Sequence, residues 1–167
     1  MRAFQQEADG TVTAELTIEE VSILVDLAGQ LSQLLQQQPA VDEALDRLLP
    51  DAYPDDRAAS AEFRRFTSPG LVDRKLATAS VILDSLRTAT TESVAGGSAG
   101  TQPTVLRLDP AAAQSWLTAV GDLRLVIAAR LGIVNDGDEG DADSVMAEVY
   151  DWLGYVQGSL VEALDKA

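Results

Sequence analysis

From Val145 to Leu164 apolar side chains return every three or four residues, and this spacing is the strongest constraint the chain places on its own fold. Val145, Val149, Trp152, Leu153, Val156, Leu160 and Leu164 fall on one stripe of a helix with a 3.6-residue period, whereas a strand would send half of them to the wrong face. Asp143 or Ser144 supplies the cap that opens this helix. The same spacing recurs upstream, each time bounded by a cap or a proline. Thr17 and Glu20 form a capping box, followed by Val21, Leu24, Val25, Ala28, Leu31 and Leu35. Ile23, Leu27 and Leu34 widen that apolar face, which predicts a helix packed on two neighbours and stopped by Pro39.

Asp42 caps a short helix carrying Ala44, Leu45, Leu48 and Leu49, which Pro50 ends. After the rigid turn from Pro50 to Asp56, one helix bears Phe63 and Phe66. Ser68-Pro69 reads as the start of another, running through Val72, Leu76, Ala79, Ile82, Leu83 and Leu86 and losing its pattern near Thr88. Residues 92–103 have the composition of a flexible insert. Asp109-Pro110 opens a helix through Trp116, Leu117, Val120, Leu123, Ile127 and Leu131 that Gly132 closes. Two short β-prone runs, 11–16 and 104–108, have only each other to pair with. The expected fold is mainly α: one domain over residues 1–167, a bundle of about six helices with a two-stranded ribbon, and an acidic loop at 132–143.

Composition narrows function more than any motif does. The chain has no histidine and no cysteine, which removes imidazole bases, thiolate nucleophiles, Cys/His zinc sites and thiol redox switches. No G-x-S-x-G elbow or phosphate-binding loop is present, so no enzyme activity, catalytic residue or cofactor is assigned. A net charge of −15 opposes binding to nucleic acid, since phosphate contacts need cations. With no apolar leader and no run near the roughly 20 apolar residues of a membrane span, the expectation is a cytoplasmic protein without a membrane partner.

Three constellations invite chemistry. Residues 136–143 hold five carboxylates, with Asp136, Asp138 and Asp141 as candidate cation ligands. Counted as an EF-hand loop from Asp136, however, position five is Gly140 and position twelve Ala147, so a solvated connection leading into a helix N-terminus is the reading adopted. Arg124 and Arg130 sit within apolar rows of their helix and call for a carboxylate partner, with Asp151, Asp51 and Asp55 as candidates. Either they form a structural ion pair between helices, or Arg124 centres a small-anion site. Finally, Arg57, Arg64, Arg65, Arg74 and Lys75 stand against Glu62 and Asp73, giving residues 57–75 a local charge of +3. As two short helices joined at 67–70 this segment invites comparison with a helix-turn-helix. The −18 on the rest of the chain favours instead a solvated face, or an interaction surface.

Leu48-Leu49-Pro50-Asp51-Ala52-Tyr53-Pro54-Asp55-Asp56 and Glu62-Phe63-Arg64-Arg65-Phe66-Thr67 resemble an actinobacterial family of unknown function. The likeness continues in Asp122-Leu123-Arg124-Leu125, Ala129-Arg130-Leu131-Gly132 and Val149-Tyr150-Asp151-Trp152-Leu153-Gly154. Members of that family are often encoded beside the Clp protease adaptor, and some are labelled transcriptional regulators. The resemblance therefore implies a role near protein turnover, carries no catalytic residue, and draws Asp51, Tyr53, Asp55, Arg64, Arg124, Arg130, Asp151 and Trp152 together. The function expected is a non-catalytic interaction or regulatory module with an unidentified protein partner, a second copy included. The alternatives are a nucleic-acid-binding regulator using 57–75 and an anion site at Arg124.

Overall fold

The structure is a computed structural model that describes residues 1–50, 55–95, 102–135, 138 and 144–165, with the backbone alone for 57–61 and 63–67. Its order is β1 (Arg2–Gln6), β2 (Val12–Leu16), α1 (Ile18–Gln37), α2 (Glu43–Leu48), α3 (Arg57–Ala95), β3 (Thr104–Leu108), α4 (Pro110–Leu131) and α5 (Val145–Leu164). The expected ribbon is present: β2 and β3 pair antiparallel, with Val12 opposite Leu108 and Leu16 opposite Thr104. A third strand, β1, joins the free edge of β2, so the sheet order is β1-β2-β3. Alternation turns Phe4, Val12, Ala14, Leu16, Leu106 and Leu108 onto the helices. The apolar signal of β1 is the single residue Phe4, which explains why its sequence did not announce a strand.

The helix ends follow local chemistry. Both halves of the capping box at α1 form, with the Thr17 N–H donating to Glu20 Oε2 at 2.7 Å and the Glu20 N–H to Thr17 Oγ1 at 3.3 Å. The Asp109 side chain accepts from the Ala112 N–H at 2.7 Å, and Ser144 caps α5 in the same way. Gly132, at φ 71°, closes α4 in the left-handed region that glycine enters without steric cost.

The expected pair of helices between residues 57 and 88 is a single 39-residue helix with Pro69 inside it. Proline costs an interior helix one hydrogen bond and a clash worth about 3 kcal/mol, yet its fixed φ is itself helical. Val72, Ala79, Ile82, Leu86 and Ala89 are buried beyond it along one stripe, which is enough to hold the helical course. The helix also outruns the expected end near Thr88 by seven residues, so 92–95 are helical; 96–101 lie outside the described residues. The count among the described residues is thus five helices rather than six.

α4 is central, packing on α2, α3 and α5, with its Trp116 fully buried. α1 packs chiefly on α3 and meets α4 only sparsely. No helix among the described residues is long and apolar enough to cross a membrane.

Candidate functional site

Arg130 leaves the last turn of α4 and its Nη2 donates to Asp42 Oδ2 at 2.6 Å. Asp42 also caps α2, its Oδ1 accepting from the Leu45 N–H at 3.1 Å. Arg130, more than the cap, holds the Asp42 carboxyl below the usual carboxylate range. A depressed pKa contributes stability that is present above the unfolded value of about 4 and is lost as the pH falls through the folded value. Asp42→Ala should therefore cost about 1–2 kcal/mol at pH 7, cap included, and Asp42→Asn under about 1, because an amide still caps and the half-exposed Arg130 is screened. Urea unfolding at pH 7 and pH 3 checks this: the gap between wild type and Asp42→Asn should shrink in acid.

Arg124 finds no carboxylate among the described residues. Its Nη1 donates to Gln157 Oε1 at 2.7 Å, its guanidinium lies 4.6 Å from the Tyr150 ring centroid, and it rests against Gly154. These three form an i, i+4, i+7 stripe on α5. Asp151 sits about 100° round the helix from Tyr150 and points to solvent, so it does not serve as the expected partner. Asp55 is exposed and Asp51 lies outside the described residues. The guanidinium is held by a ring face and an amide, a cation–π clamp between α4 and α5.

Lys75 turns inward and pairs with Asp122 of α4 at 2.5 Å, both side chains largely buried. Asp122, quoted above only as part of a motif, is thus the carboxylate that locks α3 to α4. Its second oxygen, Oδ2, is buried without a hydrogen-bond partner. With Lys75 engaged, Arg74 is the exposed cation of 57–75 whose side chain is described; those of Arg57, Arg64 and Arg65 are not. The segment belongs to one continuous helix, so the turn that a helix-turn-helix needs at 67–70 is absent. In the acidic loop Asp138 Oδ2 accepts from the N–H groups of Val134 and Asn135, at 3.0 and 2.9 Å, which lowers its pKa. Asp136 and Asp141 lie outside the described residues, and among those described no group of acids is placed to hold a metal ion.

Where α1 and α4 diverge, an open groove of about 690 Å³ runs between them and reaches the first turn of α5. Ile23, Leu27 and Leu34 line it from α1, Leu123, Val126 and Ile127 from α4, and Val145, Met146 and Val149 from α5. The width of the α1 apolar face predicted two packing neighbours. Val21, Leu24, Ala28, Leu31 and Leu35 are buried on the helix that packs chiefly on α3, while Ile23, Leu27 and Leu34 are half-buried along the groove. Asp26, Gln30, Gln33 and Gln37 form the α1 lip, and the one cation in the lining, Arg130, is bound to Asp42. A second apolar depression, at Val25, Leu83, Thr90 and Val94, is more open and lined by α1 and α3 only.

A family model described as "Domain of unknown function (DUF2017)" matches residues 1–164. A Mycobacterium leprae (strain TN) protein named "Putative oxidative stress regulator AosR" is 34% identical over 183 residues, covering 87% of this chain and 78% of its own length. No solved structure matches the chain significantly.

Proposed function

The chain belongs to the DUF2017 family, and we propose that it is a non-catalytic cytosolic regulatory module that docks a cationic amphipathic helix of a partner protein in the groove between α1, α4 and α5. The observation that carries this reading is the half-covered apolar flank of α1 facing the groove. From Ile23 to Gln37 the lip runs about 21 Å at 1.5 Å per residue, the length of a four-turn helix. The apolar floor would take that helix's apolar stripe. The exposed Asp26, the absence of a free cation in the lining and the net charge of −15 select a cationic partner and oppose a second copy of the same chain. The relative's name supports a regulatory role, and the resemblance to proteins encoded beside the Clp adaptor supports a partner in protein turnover. Because this chain has no cysteine, any direct response to oxidants would have to use something other than a thiol.

Fluorescence anisotropy of a labelled Leu/Lys amphipathic 14-mer against the full chain tests the groove. Binding should weaken at least roughly tenfold in Val145→Lys, which puts a like charge against the peptide at a position 76% exposed and so without cost to the core. Equal binding of the matching Leu/Glu peptide, or indifference to Val145→Lys, would overturn the reading.

A further inference from the structure

We propose that Met146 is an oxidation site whose conversion to the sulfoxide closes the groove to its helix, an inference that rests on the docking reading above. The chain contains two sulfur atoms, those of Met1 and Met146. The Met1 side chain is 2% exposed and packs against the core, out of reach of solvent oxidants. Met146 is 44% exposed, stands on the first turn of α5 and lines the groove between Val145 and Val149. The one sulfur an oxidant can reach is thus the one on the docking surface.

The chemistry needs a two-electron oxidant of the peroxide class. The thioether lone pair attacks a peroxide oxygen, the O–O bond breaks, an S–O bond forms, and the other oxygen leaves as water once it has gathered both protons. Sulfur is oxidised by two electrons and the peroxide reduced by two. The product replaces a soft apolar contact with a strong dipole. Covering that dipole with the apolar stripe of an incoming helix strips it of water without returning a hydrogen bond, since Val145 and Val149, the lining side chains beside it on α5, offer no donor. Methionine sulfoxide reductases reverse the change, so the site can act as a switch as well as a lesion.

The test uses the full chain, hydrogen peroxide and the labelled Leu/Lys 14-mer. Peptide mapping by mass spectrometry should place one added oxygen on Met146 and none on Met1 of the folded chain. Oxidised wild type should lose roughly tenfold in affinity, the effect of about one unsatisfied polar group, and regain it after reductase treatment. Met146→Leu, whatever its own starting affinity, should show the same affinity before and after peroxide. Peptide binding that survives complete sulfoxidation of Met146, or a peroxide effect that persists in Met146→Leu, overturns the switch while leaving the groove standing. Failure of the unoxidised chain to bind the peptide overturns the groove, and the switch falls with it.

Discussion

Lys75→Met should destabilise the protein by about 3–5 kcal/mol, more than the loss of any other ion pair described, because it strands the Asp122 carboxylate inside the bundle. Asp122 is 7% exposed and Lys75 14%, and only one Asp122 oxygen has a partner even in the intact pair. The reverse change is expected to be milder. In Asp122→Leu the long Lys75 stem can carry its ammonium toward water, at a cost of about 1–3 kcal/mol. Replacing both, as Lys75→Met with Asp122→Leu, should recover most of the loss, since a buried pair gains little over well-packed apolar side chains of similar volume. Urea unfolding of the four proteins closes the cycle. Losses below 1 kcal/mol for both single variants would show that water reaches the pair and that it is not the lock between α3 and α4.

That pair also marks where sequence reading stops. Lys75 belongs by sequence to a cluster of five cations, and nothing in the cluster says which member faces the core. The choice is made by the rotation of α3 against α4, a non-local quantity. The same reason separates Arg124 from the carboxylates expected for it: the rotation of α5 presents Tyr150, Gly154 and Gln157 to it instead of Asp151. Local rules carried further. The caps at Thr17, Asp42, Asp109 and Gly132 are decided within four residues of chain and were readable as written, and Ser144 is one of the two residues expected to open α5. The pairing of β2 with β3 was readable because no other β-prone run competed. Pro69 was misleading because the Ser-Pro pattern that starts helices is also tolerated within one when packing downstream is strong. The groove was half legible: the excess width of the α1 apolar face shows in its sequence, whereas whether a neighbour covers the second flank does not.

Trp116→Ala should cost about 3–5 kcal/mol, by removal of the largest fully buried side chain in the described core. The indole does two jobs. Its Nε1–H donates to Ser85 Oγ at 3.3 Å, tying α4 to α3, and its ring meets Phe4 edge to face, with centroids 5.9 Å apart and planes at 62°. Phe4 is the one buried residue of β1, an edge strand that pairs with β2 and packs on α5. The cavity left by the indole therefore lies under β1, where the sheet is least supported. Amide hydrogen exchange in Trp116→Ala should show residues 2–6 losing protection ahead of β2 and β3. The aromatic contact predicts a coupling of about 0.5–1.5 kcal/mol with Phe4→Ala, so that the second truncation costs less than the first. Trp116→Phe keeps most of the volume and forfeits the hydrogen bond to Ser85, and should lie well below the alanine variant in cost. Equal losses for phenylalanine and alanine would assign the stability of this site to the single hydrogen bond. Additive losses for Trp116 and Phe4 would mean that β1 is held by its backbone pairing with β2 and its packing on α5 rather than by the aromatic pair.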